Sequence, residues 1–442
     1  MRYLYRTGWG RNIRAKINLL DISMFENRTG YCENTDGLAI GLGRSYGDSS
    51  LNSTGISWSS QSLKKIEIDQ KRMVATCGAG VTIGELERAS LANGLFPKVV
   101  PGTEYVTIGG AVASNIHGKT HQRFGSFGDQ LLKISLLDSE GIVHHLKPVG
   151  PTEELFWATV GGMGLTGAVV SAEISLMSVQ TSFVVISEVR VNSLSQMLTT
   201  LRNFDQKFQY TVAWIDLSGD FKGRGIVSAA NPAMVSELPK KFSTKPLFNK
   251  YPRRWSIPDL FPSRFINPFT VATFNLFWFY KPLKSGLQHL QPFLHPLDSL
   301  KNWNRVYGRQ GFIQYQFMIP FGQESFIDIV LQEMRRIAGV SFLGVLKSFG
   351  RSECRYLSFA NSGWTLALDI SAANKKLINS LNRLDKELIS RGGRVYLTKD
   401  SRLAKEDFEK MYPQYQEWLK VKNEVNPNNF WQSEQGRRLG LC

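Results

Sequence analysis

Lys399 stands in "GGRVYLTKDSR", three residues after Tyr396 and beside Asp400 and Arg402. A desolvated amine at such a place can take up a proton or hold a developing negative charge. A lone lysine at a strand end is more often a solvated charge, so its surroundings decide. Two glycine clusters supply surroundings. "GLGRSYGDSS" sets Gly41, Gly43 and Gly47 around Arg44 and Tyr46. "PGTEYVTIGGAVASNIHGKTHQRFGSFGD" packs His117, Lys119, His121 and Arg123 among six glycines. Successive backbone N–H groups in such turns form anion-binding concavities. One cluster suits ordinary turns; two in one region favour a ligand.

Two other patterns lose on inspection. His117 and His121 have i, i+4 spacing, but the glycines oppose a helix and no carboxylate sits at ligand spacing, so no metal site is expected. Gly162–Gly167 matches G-x-G-x-x-G. A dinucleotide fingerprint follows a strand and opens a helix. Here a helical stretch precedes it and the strand "AVVSAEISL" follows, which suits a tight helix-to-strand connection near a ligand.

The elements that must position these groups read as follows. The first 175 residues alternate short strands and helices. Thr82 and Glu85 make a capping box, and a hairpin turns at residues 138–141. His144 and His145 fall on its surface. Beyond Leu176 glycine thins out and aromatic strands such as "GFIQYQFMIP" and "WTLALDIS" alternate with helices, which suggests an antiparallel sheet with helices packed on it. The basic, Pro-rich stretch 240–264, with Lys240, Lys241, Lys245, Lys250, Arg253, Arg254 and Arg264, reads as a long mobile loop.

Composition sets bounds. A chain of 442 residues with 42% hydrophobic and 20% charged residues makes two or three globular domains. The net charge of +16 points to an anionic partner, yet no nucleic-acid-binding motif accompanies it. Cys32, Cys77, Cys354 and Cys442 form no CxxC pair, so a reduced compartment is expected. No apolar h-region follows the first methionine, so no signal peptide is expected. The longest apolar run, Phe265–Tyr280, is broken by Asn267, Pro268 and Asn275 and is shorter than a membrane-spanning helix.

The quoted pieces, with "GGMGLTG" and "NPNNF", resemble the FAD-linked oxidases of the vanillyl-alcohol-oxidase type. Within them they are similar to the decaprenylphosphoryl-β-D-ribose 2′-oxidase family. "TGWGR" and "HPLDSLKNWNRVYGRQGFIQYQFMIP" extend the likeness to nearly the whole chain. The resemblance implies an α+β fold with a two-subdomain FAD-binding domain (1–175), an antiparallel-sheet substrate domain (176–395) carrying a mobile basic and aromatic loop (240–280), and a segment 396–442 that returns to the FAD domain. It implies that Gly41, Leu42, Gly43, Arg44, Ser45, Tyr46 and Gly47 close on the FAD pyrophosphate. Gly102, Thr107, Ile108, Gly109, Gly110, Ser114, Asn115, Ile116 and His117 would lie along the flavin and ADP portions. Val169 would approach the adenine and Tyr396 the flavin. Many members of the wider group tether FAD to a histidine where Arg44 stands, so noncovalent FAD is expected.

The resemblance also implies hydride transfer to the flavin from a carbinol carbon while a base removes the hydroxyl proton. Lys399, His117 and Tyr46 are the expected catalytic residues. Lys399 would hold the sugar hydroxyl, stabilise the reduced flavin or act as the base. Lys119, Gln314, Gln316, Lys347 and Lys399 would bind substrate, with Lys347 a candidate for its phosphate. Thr365 and Ala367 depart from the Asn and Cys of mycobacterial members. The implied substrate is a polyprenyl-phosphate-linked pentose, oxidised at its 2′-hydroxyl on the way to an arabinose form. An NAD(P)H-dependent reductase would complete the epimerisation, and a quinone or O2 would accept the electrons. The expected location is cytoplasmic, at the inner face of a bacterial membrane, with the periplasm as the alternative. There Phe274, Leu276, Phe277, Trp278 and Phe279 would meet acyl or prenyl chain, the alternative being a hydrophobic packing helix inside the substrate domain. The rival reading is an oxidase of soluble alditols or sugar lactones.

Overall fold

The computed structural model describes residues 2–25, 35–218, 223–248, 255–259, 265–353 and 355–442. Cys32, Lys250, Arg253, Arg254, Arg264 and Cys354 lie outside them.

Three sheets organise an α+β chain. The first contains β1 (Arg2–Thr7), β2 (Arg14–Asp21), β3 (Gly37–Ile40) and β4 (Ile56–Ser59), in the order β1-β2-β4-β3. The second contains β5 (Ile66–Asp69), β6 (Val74–Gly78), β7 (Leu95–Pro97), β8 (Leu131–Leu137), β9 (Val143–Leu146) and β10 (Ala168–Ser178). The capping box is present: Thr82 accepts from the Glu85 N–H and starts the helix Ile83–Leu91. The glycines at 161–167 do join a helix, Glu153–Thr159, to a strand, β10.

Later come β11 (Phe183–Val191), β12 (Tyr210–Ile215), β13 (Gly225–Pro232), β14 (Trp255–Ser256), β15 (Ser285–His289), β16 (Leu300–Lys301), β17 (Phe312–Pro320), β18 (Gly344–Phe349), β19 (Gly363–Ser371) and β20 (Arg394–Val395). All but the small pair β14 and β16 form one antiparallel sheet, β15-β11-β13-β12-β18-β19-β17-β20. Strand residues alternate between faces. One face, with Ile313, Tyr315, Phe317, Leu366, Leu368 and Leu346, shares an apolar core with the helices Leu194–Lys207, Ser325–Arg336 and Leu377–Ser390. The other face is free to carry chemistry.

Part of the region read as a loop is a docked helix, Pro268–Tyr280. Asn267 caps it by accepting the Phe269 and Thr270 N–H groups, and Pro268 suits its first turn. Val271, Asn275 and Phe279, four residues apart, form its buried row. Buried Asn275 donates through Nδ2 to Asp216 Oδ1 (2.8 Å) and to the Ser341 carbonyl (3.2 Å). Arg224 Nε pairs with the other Asp216 oxygen at 2.8 Å. Arg190 grips the helix end by donating to the Phe279 and Lys281 carbonyls. Phe279 therefore faces the sheet, under the Arg224 guanidinium, and does not reach outward. No helix among the described residues is long and apolar enough to cross a membrane.

The C-terminal segment packs on the first sheet. Phe430 accepts from the Gly37 N–H at 2.7 Å, and Trp431 stacks on Phe25 with ring centroids 5.3 Å apart.

Candidate active site

A cavity of about 1120 Å³ lies between the two glycine clusters and the free face of the large sheet. β17 projects Gln314 and Gln316 from that face, two residues apart. The ladder sets Gln314 opposite Asp369, Gln316 opposite Ala367, and Met318 opposite Thr365, which in turn faces Lys347. Three neighbouring strands thus each contribute polar groups to one row along this face.

His117 is the hub of this row. Its Nε2 is 3.0 Å from Gln316 Nε2, and its Nδ1 is 3.1 Å from Lys347 Nζ. Burial first, then Lys347, His121 and Lys399, hold its pKa well below the usual value, so the ring is neutral. With Gln316 donating to Nε2, the imidazole proton sits on Nδ1 and Lys347 accepts it as free amine. Burial, Lys119 and Lys399 support that state by carrying Lys347 down to about 7. Gln316 also donates to Thr365 Oγ1 (3.2 Å), whose own proton goes to the Phe317 carbonyl.

Lys399 stands with Nζ 3.5 Å above the centre of the Tyr46 ring. Burial pushes its pKa well down, and the nearby Asp369 opposes that shift. Asp369 is fully buried and pushed up by burial, with Gln314 donating to its Oδ1 and, among the described residues, no hydrogen-bond partner for Oδ2. Lys119 donates to the Leu294 carbonyl at 2.7 Å and is pushed down to about 8 by burial. Three lysines and a neutral histidine therefore share one cavity in which charge is poorly solvated. Such a set receives an anion well and accepts protons near neutral pH.

His121 has another task. It is buried between Ser126 Oγ (3.0 Å) and the Gly350 N–H (3.2 Å), its pKa pushed down to about 3 by burial. It holds the cluster to the end of β18.

The glycine loop 41–46 lines the cavity. Among the described residues, the backbone N–H groups of Leu42, Gly43, Arg44 and Ser45 meet no protein acceptor. The Arg44 guanidinium lies 4.0 Å over Trp9 and 5.2 Å from Tyr105. Tyr46 donates its N–H to the Thr398 carbonyl at 3.0 Å, one residue before Lys399. Arg438 clamps the same junction from the C-terminal helix, bidentate on Asp48 (2.8 Å each) and 2.9 Å from Asp400.

Gly102, Thr107, Gly109, Gly110, Ser114, Ile116, Val169 and Tyr396 also line the cavity, Tyr396 fixed by its hydroxyl on the Ser114 carbonyl at 2.7 Å. Three expected cofactor contacts do not. Gly47 faces Asp400, whose carbonyl would lie 1.9 Å from an added Cβ, so this glycine serves chain packing. Ile108 is fully buried in the apolar core. Asn115 holds a turn at φ +39, donating to Ser358 Oγ and accepting the Gly128 N–H.

The sequence reading missed Asp369, Asp298 and Trp9. Asp369 had a signal: an acid inside the apolar strand "WTLALDIS", in phase with Thr365 and Ala367. Asp298, which accepts from Thr103 Oγ1 (2.8 Å) and the Glu104 N–H (2.7 Å), ties the second cluster to residues 296–299. It had no local signal.

Residues 31–147 match the FAD binding domain family. The geometry suits that cofactor. Four consecutive free N–H groups form an anion nest for a pyrophosphate. Gly102 and Gly164 face open space at the cavity wall, where a Cβ would intrude on a flat ligand. The decaprenylphosphoryl-β-D-ribose oxidase of Mycolicibacterium smegmatis is 35% identical over 98% of this chain and 97% of its own length. An uncharacterised protein of Streptomyces coelicolor is 32% identical over 82% of this chain and 100% of its own. The D-lactate dehydrogenase of Archaeoglobus fulgidus shares 33% identity over only 20% of each. Likeness along nearly the full length, through both the glycine clusters and the polar row of the sheet, makes this chain a member of the decaprenylphosphoryl-β-D-ribose oxidase family of FAD-dependent oxidoreductases.

Proposed function

We propose that the chain oxidises the 2′-hydroxyl of a polyprenyl-phosphate-linked ribose to a keto sugar, the first half of an epimerisation to the arabinose form. The observation that carries this reading is the coverage of the likeness to the mycobacterial oxidase, 98% of the chain, which takes in the cavity-facing strands as well as the glycine clusters.

FAD, when bound, supplies the hydride acceptor. Residues 42–45 with Thr107, Gly109 and Gly110 would hold it, without a covalent link because Arg44 offers no tether. The remaining tasks fall to side chains. Lys399, whose charge burial disfavours, takes the hydroxyl proton at Nζ. Asp369 faces the resulting ammonium and stabilises it, and Gln314 keeps that carboxylate in place. Lys347 and Lys119 meet the substrate phosphate; its charge raises their pKa values, so binding takes up protons. His117 and Gln316 orient Lys347.

A quinone or O2 would serve as the electron acceptor, and an NAD(P)H-dependent reductase would act on the keto sugar. The exposed face of the helix Pro268–Tyr280, where Phe269 is 79% and Phe277 73% exposed, rests on the inner, cytoplasmic face of the membrane. Exposed Lys240, Lys241 and Lys245 add about 1 kcal/mol each toward anionic headgroups.

The test is anaerobic mixing of the yellow protein with farnesylphosphoryl ribose or with xylitol. Bleaching of the flavin band by the first alone is expected. Bleaching by xylitol alone would replace this reading with the soluble-alditol one.

A further inference from the structure

We propose that the arm of the cavity beneath the helix Pro268–Tyr280 receives the first isoprene units of a prenyl phosphate. The proposal rests on the sugar-phosphate reading above and adds where the lipid lies.

The free face of the large sheet changes character from one side to the other. On β17, β19 and β18 it carries Gln314, Gln316, Asp369 and Lys347. Along the same face, Val345 of β18 stands opposite Trp214 of β12, and Trp214 opposite Ile226 of β13. Ile186 of β11 follows, and these residues line the same cavity as the lysines. Val345, Trp214, Ile226 and Ile186 make much of this wall apolar, interrupted by Ser228 of β13 and Glu188 of β11, whose carboxylate accepts from Ser228 Oγ (3.1 Å) and the Lys284 N–H (2.8 Å) and lies 3.8 Å from Lys281 Nζ. From β18 to β11 is three strand spacings, about 14 Å.

The helix roofs this apolar stretch. Its buried row and the Asn275–Asp216 pin hold it to the sheet. Val271, Phe274 and Trp278 line the gap, the last two stacked with centroids 5.8 Å apart. The far end is lined by Lys281, with Nζ 3.9 Å over the Trp278 ring, and by Lys284, which is exposed. The passage thus starts at cations suited to a phosphate, runs between the apolar side chains of the sheet and the helix past a Glu188 carboxylate already paired with Ser228, Lys281 and Lys284, and opens beside the exposed aromatics of the same helix. Polar headgroup and apolar chain are matched in that order. A soluble polyol has no use for the apolar part.

The test uses the flavin-loaded full chain with farnesyl phosphate as probe and inorganic phosphate as headgroup control, read by calorimetry. Farnesyl phosphate is expected to bind at least tenfold more tightly than phosphate. Ile226→Trp fills the passage and Phe274→Glu sets a carboxylate in its roof. Each is expected to weaken farnesyl phosphate at least tenfold and to leave phosphate unchanged. Phe274 is 43% exposed, so its variant folds even if the tryptophan is not accommodated. A variant with an unaltered flavin spectrum and wild-type affinity for farnesyl phosphate overturns the proposal. The outcome separates from that of the function: if farnesylphosphoryl ribose fails to bleach the flavin while this binding pattern holds, the sugar reading falls and the lipid passage stands. If bleaching is normal and the variants bind as wild type, the reverse is true.

Discussion

Replacing Lys399 by alanine and by arginine separates proton transfer from fixed charge. The structure sets what each variant loses. In alanine the amine is gone, and with it the contact of Nζ with the Tyr46 ring, 3.5 Å from its centre. The cost of burying that amine disappears too, so the two stability effects oppose each other. Among the described residues Asp369 then has no neighbouring cation and one unpaired oxygen, so its already raised pKa rises further and it is neutral at pH 7. Lys399→Ala is therefore expected to fold and stay yellow. Its loss shows in rate: positioned proton transfer contributes about 10²–10⁴-fold, so flavin reduction should slow at least about a hundredfold. Arginine keeps the positive charge but does not deprotonate near neutral pH. If Lys399 takes the proton, Lys399→Arg falls as far as alanine. The assay is anaerobic stopped-flow absorbance with saturating substrate. An arginine variant within tenfold of wild type would refute proton transfer by Lys399 and leave it a charge; an alanine variant within tenfold would refute both roles.

Four further outcomes are expected. Asp369→Asn removes the charge that opposes the downward shift of Lys399, so the acid limb of the pH–rate profile should move to lower pH; a limb that stays or moves up contradicts the pairing. Acid precipitation should release free yellow flavin, because Arg44 offers no tether; flavin in the washed pellet would show otherwise. Asn275→Leu leaves Asp216 short of one buried hydrogen bond and should cost about 1–3 kcal/mol, read as a lowered Tm, while flavin content holds. Phe269→Ser with Phe277→Ser touches only the exposed helix face, so co-sedimentation with anionic vesicles should fall while turnover of a short-chain substrate is retained.

The site was legible where chemistry needs unusual backbone. Glycines at 41, 43, 102 and 110 line the cavity; Gly102 faces open space there, Gly43 takes a left-handed φ of +62, and Gly41 makes room for Thr107. Gly47 carries the same signal for another reason, because a glycine that lets two chains touch looks no different from one that lets a cofactor in. Ile108 and Asn115 fell between true lining residues and were taken with them; in a short helix and the turn after it, neighbours point in different directions. Asp369 was hidden because its role exists only through register, opposite Gln314 on a strand fifty-five residues away. The helix Pro268–Tyr280 stood only as the alternative to a loop, because its composition is ambiguous. It is apolar on nearly every side, so the period that marks an ordinary surface helix is missing, and the buried asparagine that fixes it reads as a break.

Arg438 joins Asp48 across a separation of 390 residues, and Phe430 and Thr398 reach back to Gly37 and Tyr46 in the same way. The stretch that matches a cofactor-binding family ends at residue 147, well before any of those partners. That stretch is consequently not a portable module. Cut out and expressed alone, it would carry every free N–H of the glycine loop yet lose the contacts of Trp9, Thr398 and Arg438 that fix its far end. The loop can be fully fastened only once the C-terminal segment has docked beside it.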